Sequence, residues 1–113
     1  MNEMPESIRV GPYRFTIECS ETAILRVSIA SKGNRMGEMN SSNLTLTIKP
    51  DMPPDQLADT LLHEVLHAVL YTVGTTLEDE EQERIVGTIS PMLLDTLRRN
   101  PMLVAYLLDQ GAD

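Results

Sequence analysis

The stretch Leu61-Leu62-His63-Glu64-Val65-Leu66-His67-Ala68 decides the fold of this 113-residue chain. Apolar residues continue its helical spacing on the amino-terminal side, beginning with Leu57. Pro53-Pro54 suits a first helical turn, where no amide donor is needed, and Gly74 suits a left-handed helix stop. We therefore predict a single helix between these prolines and Gly74.

The predicted helix carries the pattern H-E-x-x-H, filled by the only two histidines of the chain. Residues four apart on a helix lie one above the other, so His63 and His67 project from one face at a separation suited to one metal ion. Glu64 lies close enough to reach a water on that metal without being a ligand. The motif predicts a zinc (Zn²⁺) site with His63 and His67 as ligands and Glu64 as catalytic base. The alternative is a chance placement of two histidines, one in the core and one at the surface.

A catalytic zinc also needs a third protein ligand and one open position. An acidic cluster opens the next predicted helix, and the turn at Gly74 lets that helix fold back beside the first. Either Glu83 or Glu80 is then expected to face the histidines. The other acidic residues of the cluster are interpreted as a solvated helix start, which carboxylates favour. They are Glu78, Asp79 and Glu81.

Alternating apolar and polar residues predict strands in the first half of the chain. A hairpin is expected across Gly11-Pro12, from Ile8 to Ile17. The β-branched run at residues 24–30 is interpreted as a further strand, and residues 44–48 give the cleanest period of two. Residues 31–42 have no period and are interpreted as a loop that approaches the active cleft. Three or four strands result.

The second half of the chain predicts further helices. Thr76 followed by Asp79 resembles a capping pair for the second helix. Prolines after Ser90 and Asn100 predict breaks or bends, with short terminal helices at 91–99 and 101–109. The apolar residues of these two helices are expected to supply much of the core: Leu93, Leu94, Leu97, Leu103, Val104, Leu107 and Leu108.

Together these patterns predict one α+β domain over residues 1–113, with strands at about 7–49 and helices at about 54–109. The expected architecture is a small antiparallel or mixed sheet of three to four strands packed on the H-E-x-x-H helix and on further carboxy-terminal helices.

Composition excludes several classes of partner. Seventeen acidic and nine basic residues give a net charge of −8, which repels phosphate backbones and anionic lipid head groups. We therefore expect no nucleic-acid partner and no membrane association. A single cysteine and the absence of a basic cluster before an apolar run at the amino terminus predict a cytoplasmic location. Cys19 is expected to be a small buried apolar residue.

The H-E-x-x-H motif with its acidic second helix resembles the zincin metallopeptidases, specifically the minimal ImmA/IrrE-like domains of phages and prophages. That family has a second-helix pattern E-x-x-A-N-x-F-A-x-x-L-L, which starts here at Glu83, with Gly87 and Ile89 standing where the pattern has Asn and Phe. The resemblance spans residues 44–94. It also includes Gly37-Glu38, which is similar to the glycine-containing approach to the family's edge strand. It implies Glu83 as the third zinc ligand, with Glu80 in reserve.

The resemblance implies hydrolysis of a peptide bond in a peptide or protein substrate, such as a regulator, inside a bacterial or phage-infected cell. Zinc polarises a bound water, and Glu64 takes its proton and passes it to the leaving amine. Residues 44–48, taken as an edge strand, would hold the substrate by strand addition. Tyr71 and Tyr106 are the candidate oxyanion donors, with packing as the alternative role for Tyr71. Asp59 would orient a histidine or simply be exposed.

A second interpretation makes the chain a protein-binding module without peptidase activity, acting as an inhibitor, adaptor or assembly factor. Such a module either keeps zinc for structure or contains no metal. Glu64 discriminates between the two interpretations, because a structural zinc site has no need of a catalytic base. Nothing in the sequence specifies the oligomeric state.

Overall fold

The sheet holds four short strands in a mixed arrangement. The computed structural model describes residues 3–31 and 36–109. The strands are β1 (Ser7–Val10), β2 (Tyr13–Cys19), β3 (Gly37–Asn40) and β4 (Thr45–Ile48). The helices are α1 (Glu21–Ser31), α2 (Pro54–Thr72), α3 (Asp79–Arg99) and α4 (Pro101–Leu108). The strand order is β1-β2-β4-β3, and the predicted α+β class with a small mixed sheet is confirmed.

The predicted hairpin is confirmed. Strands β1 and β2 pair in antiparallel fashion, and Val10 faces Tyr13 across the two-residue turn. Gly11 has φ 58°, a conformation that side chains disfavour and that such hairpin turns require.

The interpretation of residues 44–48 as an edge strand is wrong. Strand β4 lies inside the sheet, parallel to β2 on one side and antiparallel to β3 on the other. All four of its residues are buried, including Thr45 and Thr47, because neighbours cover both faces. The true edge on this side is β3. This strand lies within residues 31–42, for which the sequence predicts a loop. Residues 32–35 of that segment are outside the described part.

The predicted strand at residues 24–30 is also wrong, because α1 covers this segment. Ser20 caps the helix: its Oγ accepts a hydrogen bond from the backbone N–H of Ala23 at 3.0 Å. Ala23 and Ile24 are buried and Val27 is partly buried, which matches the three- to four-residue spacing of one helical face. Helical periodicity and the cap outweigh the β-branched composition. The helix connects β2 to the second half of the sheet.

Helix α2 lies on the sheet and provides the frame for the site. It starts at Pro54, as the prolines predicted, and Gly74 follows it with φ 73°. Apolar side chains on one face pack against the core of the sheet. The buried core consists of Phe15, Ile17, Leu46, Ile48, Met52 and Ala68.

Helix α3 departs from two predictions. It starts at Asp79 after Glu78, with no side-chain cap, so Thr76 lies outside the helix and the predicted capping pair does not form. Pro91 does not break the helix, because α3 is held to α2 on both sides of it. Ser90 hydrogen-bonds to Asp59, and Arg98 forms an ion pair with Asp55. The predicted break at Asn100 is confirmed.

The expectation that the carboxy-terminal apolar residues fill the core is wrong. Helix α4 has no buried residue, and its Leu107 and Leu108 are 61% and 74% exposed. Leu93, Leu94 and Leu97 on α3 are only partly buried. The core instead lies between the sheet and α2. Across the described residues, none of the helices combines the length and apolar character needed to cross a bilayer.

Candidate metal centre

Three side chains from two antiparallel helices, α2 and α3, converge on one another. His63 and His67 lie one turn apart on α2, with ring centroids 5.0 Å apart. Glu83 on α3 lies opposite them, because the turn at Gly74 folds α3 back along α2. His67 Nε2 is 2.7 Å from Glu83 Oε1, and His63 Nε2 is 3.4 Å from the same oxygen.

This donor set fits a zinc ion. One ligand atom from each of His63, His67 and Glu83 can be chosen so that all three lie within 4.8 Å of one another. Tetrahedral zinc with bonds near 2.1 Å places its ligand atoms roughly 3.4 Å apart. Two imidazoles and one carboxylate are a common catalytic zinc set, which leaves a position open for water or substrate. His67 is buried and His63 partly buried, while Glu83 is on the solvent side.

The histidines influence the carboxylate between them. Partial burial alone would raise the pKa of Glu83, but hydrogen bonds and charge from His63 and His67 outweigh this effect, and the net pKa is lowered. Glu83 is therefore held in its ionised form, which is the form that binds metal.

Gln82 is a site residue that the sequence analysis missed. Its Oε1 lies 2.8 Å from His67 Nδ1 and accepts a hydrogen bond from it, so Nε2 is the ring nitrogen directed at Glu83. The Gln82 amide nitrogen donates to the carbonyl of Leu77 at 3.5 Å, which orients the side chain. Its only signal in the sequence is a polar side chain directly before the predicted ligand.

Glu64 lies beside the three convergent side chains and is 6% exposed. It packs against the first residue of β3. A Cβ added to Gly37 would lie 3.0 Å from Glu64 Oε2, 3.1 Å from its Cγ and 3.1 Å from the carbonyl oxygen of Thr47. Glycine at this position therefore makes room for the carboxylate between α2 and the edge strand.

Two cavities open on either side of the site. One of about 580 Å³ is bounded by β3, the end of α2 and the start of α3, and its walls include Glu38, Tyr71 and Asp79. The other, of about 320 Å³, is lined by Gly37 and His63 among others. Glu64 and Glu83 line both cavities, and residues of β3 line each of them, so we refer to the two cavities together as the cleft.

The remaining predicted residues are distributed as follows. Glu80 is exposed and does not belong to the convergent group, which consists of His63, His67 and Glu83. Tyr71 lines the larger cavity and packs against Tyr13, with ring centroids 5.9 Å apart. Tyr106 is 77% exposed on α4 and lines neither cavity. Asp59 is committed to Ser90 and makes no bond to a histidine among the described residues.

Cys19, predicted to be buried, is exposed at the end of β2 and lies outside the convergent group. Partial burial and the nearby charge of Asp51 raise the pKa of its thiol, which disfavours the nucleophilic thiolate.

Compared with known proteins, the chain matches no protein-family model, no curated protein and no solved structure.

Proposed function

We propose that this protein is a zinc-dependent metallopeptidase of the minimal zincin type, similar to ImmA/IrrE-like domains, acting in the cytoplasm. The observation that carries the proposal is the convergence of His63, His67 and Glu83, contributed by two helices, beside the buried carboxylate of Glu64. This arrangement combines a metal-binding donor set with a base in the wall of an open cleft.

Each residue has a distinct role in this proposal. His63, His67 and Glu83 would hold the zinc ion, and Gln82 would orient His67 for it. The bound ion supplies Lewis-acid polarisation of water and of the substrate carbonyl. Glu64 accepts the proton of the attacking water and delivers it to the leaving amine. Its burial on the floor of the cleft holds the carboxylate close to the ligands and limits competing solvent.

The substrate of this proposal is an extended peptide. Among the described residues β3 is an edge strand of the sheet, and it lines the cleft, so its outward backbone groups would accept a substrate by strand addition. This places the substrate on residues 37–40 rather than on 44–48. Glu38 and Asp79 add negative charge to the larger cavity and form no ion pair within the described residues. Peptides with basic side chains are therefore favoured.

The presence of Glu64 favours a catalytic zinc site over a purely structural one. Glu64 does not belong to the ligand set, and a structural zinc site has no use for a carboxylate beside its ligands, whereas hydrolysis needs a base there. A binding module with a structural zinc would tolerate glutamine at this position without losing its function.

Elemental analysis of purified protein is the first test. We expect one zinc ion per chain in the wild type, its loss in His63→Ala and Glu83→Ala, and its retention in Glu80→Ala, the matched control. Zinc-free wild-type protein, purified without chelator and then dialysed against zinc, would overturn the metal site.

A peptide library then tests catalysis. We expect the zinc-loaded wild type to cleave library peptides, detected by mass spectrometry, and Glu64→Gln to keep zinc but lose cleavage. Zinc-loaded protein that cleaves no peptide, or Glu64→Gln that cleaves as well as wild type, would contradict the peptidase proposal and favour the binding module.

A further inference from the structure

Helix α4 is apolar on every side and is scarcely covered. Its sequence, PMLVAYLL, contains no charged side chain. Helices with this composition are normally buried, yet none of its residues is buried here. Within the described chain, its only extensive packing partner is α3. The Cα radius of gyration is 14.8 Å, against about 13 Å for a compact domain of this length.

The exposed apolar area of α4 is large. Met102, Leu103, Tyr106, Leu107 and Leu108 are 86%, 42%, 77%, 61% and 74% exposed. Taking about 200 Å² for each such residue when fully free, they present roughly 680 Å² of surface, most of it apolar. The largest apolar patch on a typical monomer is about 300–600 Å². A stable interface buries about 800 Å² per partner, of which a little over half is apolar. α4 alone therefore supplies the apolar surface of one side of a stable dimer.

We infer that this surface, defined by the exposed side chains of α4, binds the α4 surface of a second copy of the chain about a two-fold axis. An apolar helix without charges is self-complementary, as a two-fold interface requires. An antiparallel pairing also opposes the two helix dipoles. Apolar area and self-complementarity thus favour the same occupant.

The dimer leaves the cleft open. Sixteen residues of α3 separate Glu83 from Arg99, which corresponds to about 24 Å along a helix. No residue of α4 lines either cavity. Dimerisation and zinc binding are therefore expected to be independent, so each can fail without the other.

Sedimentation velocity of the full chain, from low to high micromolar concentration, tests the inference. We expect a species of twice the 12.6 kDa chain mass. The double variant Tyr106→Glu, Leu107→Glu should weaken dimerisation by about a hundred-fold or more, because it places charges in an apolar interface. Met102→Lys provides a second variant, at a side chain that the protomer leaves 86% exposed. Zinc content and circular dichroism should match the wild type.

Leu25→Glu is the matched control, since Leu25 is 58% exposed on α1, away from this surface. It should leave the dimer intact. A wild type that stays monomeric, a dimer that survives both the double variant and Met102→Lys, or one that Leu25→Glu dissociates would overturn the inference. So would open-ended assembly beyond the dimer.

Discussion

Replacing Gly37 by alanine tests whether the edge strand positions the carboxylate of Glu64, the proposed catalytic base. The added methyl group would lie 3.0 Å from Glu64 Oε2 and 3.1 Å from the carbonyl oxygen of Thr47. Thr47 is in the sheet interior and cannot yield, so Glu64 must move by a few tenths of an ångström. Overpacking of this kind lowers the free energy of unfolding by about 1–3 kcal/mol. Alanine also lowers the conformational entropy of the unfolded chain, which raises the free energy of unfolding by about 0.4–1 kcal/mol. We expect a net loss of about 1–2 kcal/mol in the free energy of unfolding.

Gly87→Ala is the matched control on α3. A Cβ there would meet only the His63 ring carbon Cε1, at an ordinary 3.9 Å. Alanine in a helix interior is favoured over glycine by about 1 kcal/mol, so this variant should be more stable than wild type. The two glycine variants should differ by about 2–3 kcal/mol, or roughly 10 °C in Tm.

Urea unfolding of the zinc-free protein measures the stability difference, and peptide hydrolysis measures the effect on Glu64. Displacing a catalytic group by less than 1 Å should lower kcat/KM by roughly ten-fold or more. Zinc affinity should remain close to wild type, because Gly37 lies against Glu64, the proposed base, and not against a proposed ligand. A Gly37→Ala protein as stable and as active as wild type would refute the proposed positioning of Glu64 by β3.

Three further variants or probes test the surroundings of the site. Gln82→Leu should lower zinc affinity about 10- to 100-fold, measured by chelator competition, because His67 loses the partner that orients its ring. Ser90→Ala should cost about 1–3 kcal/mol in urea unfolding, because it leaves Asp59 without the hydroxyl that now donates to it. Alkylation of Cys19 by iodoacetamide should have its pH midpoint above that of a free cysteine peptide, because the raised pKa delays formation of the reactive thiolate.

Each of these has a control. Gln56→Leu, which changes a glutamine on α2 that bonds to Met36, should leave zinc affinity within a few-fold of wild type. Thr88→Ala removes an exposed hydroxyl on α3 and should change stability by no more than about 0.5 kcal/mol. Urea should return the Cys19 profile to that of the free peptide. Equal zinc affinity in the two glutamine variants, equal stability in the two hydroxyl variants, or an unshifted Cys19 profile would contradict the corresponding argument.

Local patterns predicted the hairpin and α2 well, since both depend on residues close in sequence. The two-residue turn at Gly11 and the proline start of α2 are properties of the chain itself. The prediction for residues 24–30 is wrong because their β-branched residues favour a strand, whereas the Ser20 cap and the helical spacing of Ala23, Ile24 and Val27 favour the helix that forms. β-Propensity is a weak guide when burial decides which face a segment presents.

The order of the strands in the sheet cannot be predicted from local sequence patterns. Alternation in residues 44–48 is the same whether the strand is central or at an edge, and only pairing with β2 makes it central. The edge strand is instead β3, whose sequence shows no apolar alternation and whose position is set by its pairing with β4. The sequence placed four of the site residues, His63, Glu64, His67 and Glu83, but not Gln82, whose role depends on how α3 is rotated against α2.

That rotation follows from one row of polar residues along α2. Asp55, Asp59, His63 and His67 recur every four residues, so they form a single ridge of the helix. Each touches a polar group of α3 in antiparallel order: Arg98, Ser90, and then Glu83 for both histidines. The first two contacts hold α3 against this ridge on both sides of Pro91, in the orientation that places Glu83 opposite the histidines. Because the same ridge carries both these contacts and the proposed zinc ligands, weakening Asp59–Ser90 should reduce zinc affinity as well as stability, without removing any proposed ligand.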